Sequence, residues 1–165
     1  MAQTANIVTA QFVAFLSAPE TGLASIVATL EAEAGIPLAP FQPEHIVSQN
    51  VPIALAERAK AVKYPVVYVY SDRVRNLLTE KFRTFSGKIR TVAEVRVSQD
   101  RLEGIEDLLR LYVDAVTQVL DSNRGTWGQG AFFTGGYEVN FDAVQQGGRN
   151  FMQVARVSFE VDMSS

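Results

Sequence analysis

Tyr137-Glu138-Val139-Asn140-Phe141-Asp142-Ala143 and Phe151-Met152-Gln153-Val154-Ala155-Arg156-Val157-Ser158-Phe159-Glu160-Val161-Asp162 decide the fold of this chain. In the first run, apolar Tyr137, Val139, Phe141 and Ala143 alternate with Glu138, Asn140 and Asp142. In the second, Phe151, Ala155, Val157, Phe159 and Val161 alternate with Arg156, Ser158, Glu160 and Asp162. Alternation with a period of two puts one face of each strand towards water and the other towards a core. Ahead of them, Leu102, Ile105, Leu109, Tyr112, Val116 and Val119 recur at helical spacing, which supplies the helix that covers the dry face.

Working outward, Ser86 to Ser98 reads as a further strand. Ile89, Thr91, Ala93, Val95 and Val97 lie on one side; Lys88, Arg90, Glu94 and Arg96 lie on the other. Pro65 to Tyr70 is almost wholly β-branched or aromatic and reads as a buried strand. Asp72 is placed to cap a short helix running to about Phe82. Asp100, with Glu103 three residues on, is placed to open the long helix, which runs to about Ser122. At the other end, Ala5 to Ser17 reads as a helix, stopped before Pro19. Leu23, Ile26, Val27 and Leu30 mark a second helix that ends at Gly35. Ile36 to Pro52 holds four of the six prolines and reads as a connector with a short strand at His45 to Ser48. Pro52 to Val62 reads as a short helix with proline near its start. The expected architecture is α+β: a mixed, mainly antiparallel sheet of about four strands with helices on one face, plus an N-terminal helical segment. Residues 1–40 form that segment and residues 41–165 the α+β part, read together as one compact unit.

At 165 residues one domain is the default. The formal charge of −3 argues against broad electrostatic capture of nucleic acid. With no cysteine, disulfides, thiolate zinc sites and cysteine nucleophiles are absent, as suits a reducing cytoplasm. No charge falls between Met1 and Pro19, and the apolar run Ile7 to Leu16 is broken by Thr9 and Gln11. We therefore expect neither a secretory leader nor a membrane span.

The chemistry-bearing patterns fail one by one. Ser86-Gly87-Lys88-Ile89 lacks the first glycine and the hydroxyl of a phosphate loop. Gly128-Gln129-Gly130 lacks the third glycine of a dinucleotide loop and leads towards a strand, so a mobile surface loop is expected there. No Gly-x-Ser-x-Gly occurs, and His45 is the sole histidine. The acidic clusters Glu31/Glu33 and Glu103/Glu106/Asp107 lie on solvent faces of helices, where they aid solubility. Glu138, Asp142 and Arg156 share a wet sheet face, and cross-strand pairing accounts for them. We expect no catalytic residue, metal or cofactor.

Two features point instead to contacts with other chains. Trp127 sits among Gly125, Gly128 and Gly130, with Phe132 and Phe133 close behind. These aromatics either anchor an interface or fold back on their own core. Arg73, Arg75, Lys81, Arg83, Lys88 and Arg90 form a basic stretch with Phe82 and Phe85 interleaved. It reads as a charged rim that pairs with acidic surfaces, in preference to a phosphate-binding strip. The polar turn Gln145 to Asn150, with Arg149, is a further contact loop. The interface residues expected are Trp127, Phe132, Phe133, Lys88, Arg90 and Arg149.

In the order and texture of its elements, the second half of the chain resembles the tail terminator family of long-tailed bacteriophages. The resemblance is carried by the strand Lys88 to Val97, the helix Asp100 to Leu120 and the closing hairpin through Gly147-Gly148-Arg149-Asn150-Phe151 into Gln153 to Val161. It implies a non-enzymatic virion protein, assembled in the host cytoplasm as a ring, typically hexameric, at the head-proximal end of the tail tube. Such a ring stops tube polymerisation, contacts the tube protein and the head–tail connector, and lets DNA pass through its lumen. The N-terminal helices and proline connector depart from compact members of that family, which leaves another head–tail joining role open. A small-molecule or peptide-binding module near Tyr68, Tyr70 and Trp127 is the alternative outside virions.

Overall fold

Three strands form the spine of the protein. The computed structural model describes residues 4–58 and 62–165. Among them are α1 (Thr4–Ser17), α2 (Leu23–Ala34), β1 (Ile46–Val47), α3 (Ile53–Arg58), β2 (Val66–Asn76), β3 (Ser86–Gln99), α4 (Ile105–Ser122), β4 (Gly125–Gly128), β5 (Ala131–Phe133), β6 (Glu138–Phe141), β7 (Gln145–Gly147) and β8 (Asn150–Ser164). The sheet order is β1-β2-β3-β8-β5-β4. β8 is paired along one edge to β3 over its whole length, from Ser86↔Ser164 to Gln99↔Phe151. Along its other edge the chain lays down β5, β6 and β7 in turn. All pairings are antiparallel except β1 with β2. The fold is therefore α+β with a mixed, mainly antiparallel sheet as expected, but it holds eight strands among the described residues where the sequence indicated about four. The additional ones are short segments of two to four residues, below the length at which alternation is visible.

The sheet has two dissimilar faces. Val67 and Val69 of β2 join Ile89, Ala93 and Val95 of β3 and Val157 and Val161 of β8 in the main core. Val8, Phe12 and Leu16 of α1, Leu23 and Val27 of α2, and Leu109, Tyr112, Val116 and Leu120 of α4 cover it. α1, α2 and Leu38 are thus built into the same core as the sheet. The alternate residues of β2, Val66 and Tyr68, face the other way and pack with Val51 and Ala56 of the α3 region in a second, smaller cluster. Helices consequently lie on both faces, three on one and α3 at one end of the other. The short helix expected at Pro52 to Val62 is observed over Ile53–Arg58, and residues 59–61 of that expectation lie outside the described ones.

Local chemistry explains the element ends. Gly35 takes a left-handed φ of 67° and its N–H donates to Glu31 O at 3.0 Å, closing α2. The long helix does not begin at Asp100. Gly104, at φ 79°, is its N-cap, and Gln99 Nε2 donates to the carbonyls of Arg101 and Glu103 at 2.7 Å each. That bonding holds residues 100–103 in a turn, so the Asp100–Glu103 capping box does not form. The helix expected from Asp72 to Phe82 is also replaced. β2 runs on through a bulge between Ser71 and Arg73 to Asn76, and Asp72 binds Arg90 at 3.4 Å. The proline connector is fixed in place: Phe41 stacks edge-on against Tyr112 at 5.3 Å and the Tyr112 hydroxyl donates to Ala39 O at 3.1 Å. Burial pushes the Tyr112 phenol up to about 12.

β2 and β3 form a long hairpin arm within the sheet, with β8 along the other edge of β3. A Cβ at Gly87 would stand 1.8 Å from Arg75 O. Gly87→Ala is expected to cost about 1–3 kcal/mol by forcing the strands apart. The check is a lowered midpoint in thermal or urea unfolding, with faster amide exchange at Asn76 and Leu77.

Candidate interaction surfaces

The arm ends in a loop, residues 77–85, that sequence reading missed. Leu77, Leu78 and Phe82 are 49%, 62% and 103% exposed. Leu78 and Phe82 have φ values of 49° and 63°, a conformation that costs a bulky L-residue about 1 kcal/mol or more. The loop is braced. Asn76 Oδ1 accepts from the N–H groups of Leu78 and Ser86, at 3.3 and 3.1 Å, and Asn76 Nδ2 donates to Thr84 O at 3.0 Å. Glu80 N–H donates to Ser86 Oγ at 3.0 Å, and the Thr84 and Phe85 N–H groups donate to Ser165 O at 3.0 Å. The sequence signal for it was Phe82 between Lys81 and Arg83, read as part of a basic strip.

Five of the six basic side chains of the strip are ion-paired within the chain. Lys88 Nζ is 2.7 Å from Asp162 Oδ1, and Arg90 Nη1 is 3.4 Å from Asp72 Oδ2. Arg73 and Arg75 share Glu160 at 3.1 and 3.6 Å, and Arg83 meets Glu80 at 3.6 Å. These are half-exposed pairs, two between adjacent strands, two reaching from β2 across β3 to β8 and one within the loop, each worth little to stability. Their effect is to give the outer half of this sheet face a patchwork of opposite signs, with Lys88 and Arg90 each beside a carboxylate.

Trp127 and Phe133 are corrected. Trp127 is 4% exposed and Phe133 fully buried. Gly128-Gln129-Gly130 is the turn of the β4–β5 hairpin, with φ of 84°, 53° and 87°; it is an ordered turn and not the mobile loop expected. The hairpin folds the indole inward against Phe15, Phe133 and Phe159, with centroids at 5.1, 5.4 and 5.8 Å. Its Nε1–H donates to Asn123 O at 2.6 Å. Neither ring has surface left to offer another chain. Phe132, pointing the other way from the same hairpin, is 46% exposed. It helps line a cavity of about 370 Å³ with Leu77, Lys88, Gly130 and Asp162. Arg149 is exposed at the β7–β8 turn.

At the inner end of the same sheet face the expected wet surface is dry. Glu94 and Arg96 are 4% and 2% exposed, with Val51, Tyr68, Tyr70 and Arg156 packed against them. Arg96 Nε donates to Glu94 Oε2 at 2.6 Å and Nη2 to Val51 O at 2.5 Å, while its guanidinium lies over the Tyr68 ring at 4.3 Å. Glu94 Oε1 accepts from Tyr70 and from Arg156 Nε, both at 3.0 Å, and Arg156 Nη1 continues to Asp142 Oδ2 at 2.8 Å. Burial first, then the nearby Glu94 charge, pushes the Tyr70 phenol up to about 12. Arg156 and Asp142 are therefore paired as the sequence indicated, through a network that also ties in buried residues. Beside it lies a groove of about 280 Å³ whose walls include Val47, Val51, Leu55, Ala56, Val62 and Tyr68.

Among the described residues no group of three or more His, Asp or Glu side chains is arranged to hold a metal ion, and no helix is long and apolar enough to cross a membrane. No protein-family model matches the chain, and no curated protein matches it in sequence.

Proposed function

We propose that this chain is a non-enzymatic assembly protein of the tail terminator type. In this reading it forms a ring, hexameric as in the family it resembles, on the head-proximal end of a phage tail tube. There it stops polymerisation, meets the head connector and lets DNA pass. The observation that carries the reading is the braced loop 77–85 at the end of the β2–β3 hairpin, which exposes Leu77 and Leu78 and holds Phe82 wholly in solvent. A rigid, exposed apolar surface of this kind is stable to water only at a cost, and a partner that covers it recovers that cost. The pairing of basic with acidic side chains on the outer sheet face suits passage of DNA without tight binding.

The test is electron microscopy of particles made without this chain. Overlong or ragged tails are expected. Tails of normal length that fail to join heads would shift the role to the connector side of the neck. Complete normal particles would remove the virion reading and favour a peptide- or small-molecule-binding module built on the groove beside Tyr68.

A further inference from the structure

We propose that His45 is an acid-sensitive latch: uncharged, its ring holds the segment 36–47 against the core, and protonation releases that segment, with β1, from the edge of the sheet. The inference is independent of the assembly reading above. His45 lies in a single 3₁₀ turn, Pro43–His45, directly before β1. It is 7% exposed, and its Nδ1 is buried without a hydrogen-bond partner among the described residues. The ring meets Phe41 edge-on at 5.6 Å, and Phe41 meets Tyr112 of α4 in the same manner. A neutral imidazole is tolerated in such a place. An imidazolium needs an acceptor for each ring N–H, and here Nδ1 has none.

The rest of the segment is lightly held, so the loss falls there first. β1 has two residues, pairing Ile46 with Val67 and Val47 with Tyr68, and it ends the sheet order. Glu44 meets Lys63 at 3.2 Å, an exposed pair of little worth. Phe41, Pro43 and Ile46 lie beside Leu16 of α1 and Leu23 of α2, which release would uncover.

The surrounding charges set the direction. α1 carries no charged side chain. α2 presents Leu23 and Ala24 at this end, with Glu31 and Glu33 two turns further on, and exposed Glu20 stands in the turn before it. β2 and α4 bring Tyr68 and Tyr112, whose phenols burial pushes up, so both stay neutral. Burial holds the His45 ring below its ordinary 6.5; Glu44 opposes that shift and Lys63 adds to it. The Glu44 carboxyl is itself held below its ordinary value, by its own backbone N–H and then by Lys63, so that pair keeps its charges through mild acid. As the pH falls, the released segment therefore takes the proton before the latched one does. The latch is at full strength above about pH 6.5 and weakens as the pH drops below it towards the folded value.

His45 is the sole histidine, so one ring resonance reports it in the native chain. NMR titration from about pH 7.5 to about pH 5 is expected to place its midpoint below 6.5. Over the same range, amide protection at Ile46 and Val47, measured against intrinsic exchange, is expected to fall by up to about tenfold per pH unit. Ala93 and Val157, paired in the middle of the sheet, should keep theirs. His45→Phe retains a ring against Phe41 and has no proton to take up, so its protection at Ile46 and Val47 should not change with pH. A ring midpoint at or above 6.5, or unchanged protection at Ile46 and Val47 across the native titration, overturns the proposal. Equal loss at Ala93 and Val157 also overturns it, because acid then acts on the whole fold. So does a His45→Phe chain that loses protection as the native chain does. Where that variant does not fold, His45→Leu takes its place, and the native titration decides in either case.

Discussion

Trp127→Ala is expected to destabilise the protein by about 3–5 kcal/mol. For a chain of this size that lowers the unfolding midpoint by roughly 6–20 °C. The indole is 4% exposed and fills the space between α1 and the β4–β5 hairpin, touching Phe12 and Phe15 on one side and Phe133 and Phe159 on the other. Its removal deletes apolar burial, several ring contacts and the hydrogen bond to Asn123 O. The cavity cannot collapse readily, because the sheet beneath is fixed by β3–β8 pairing on both sides of Phe159. α1 should loosen first, since Phe12 and Phe15 both rest on the indole. Differential scanning calorimetry with amide exchange across residues 8–16 checks this. Unchanged stability with lost assembly would restore Trp127 to an interface and contradict its burial.

Glu94→Ala has an effect of similar size by a different route. Glu94 and Arg96 lie beneath Val51 and the Tyr68 ring, and Arg96 is 2% exposed. Deleting the carboxylate leaves a buried guanidinium without its counter-charge, a change worth about 3–5 kcal/mol. Tyr70 and Arg156 lose their acceptor at the same time. Replacing both charges together, Glu94→Leu with Arg96→Met, should recover much of the loss, because the desolvation of Arg96 disappears with its charge. Urea unfolding of the two single variants and the double variant measures the coupling. An additive double variant would mean that the pair does not act as a unit.

These two residues also mark where the sequence was legible and where it was not. The long periodic elements were readable. Residues 86–99 alternate, 105–122 repeat at helical spacing, and Gly35 ends α2 where a left-handed residue is needed. What failed were properties set by distant parts of the chain. Glu94 and Arg96 look like wet-face residues because strand alternation reports which side a residue faces; it does not report that Val51, some forty residues earlier, covers that side. Trp127 looks exposed because three glycines flank it, yet those glycines supply the tight hairpin that turns it inward. β2 was cut short at Tyr70 because Ser71-Asp72-Arg73 breaks the apolar run. The bulge there lets the strand continue with its polar residues in solvent. With β2 cut, the loop at its end reads as helix, and Phe82, the most exposed large apolar side chain among the described residues, reads only as part of a basic strip.

The place of β8 has a consequence for how the chain is made. It is the last strand in chain order, yet it is the middle of the sheet, and each of its bonds to β3 spans between 52 and 78 residues, from Gln99↔Phe151 to Ser86↔Ser164. Contacts so distant make folding slow. On the ribosome, at about 5–20 residues per second, β3 waits several seconds for its neighbour. During that interval its bare edge is open to other nascent chains. Lys88, Arg90, Glu94 and Arg96, spaced along it, then act as gatekeepers against premature aggregation. The same four charges serve the chain twice: as a guard on the unfinished strand, and afterwards as members of the ion pairs of the finished sheet.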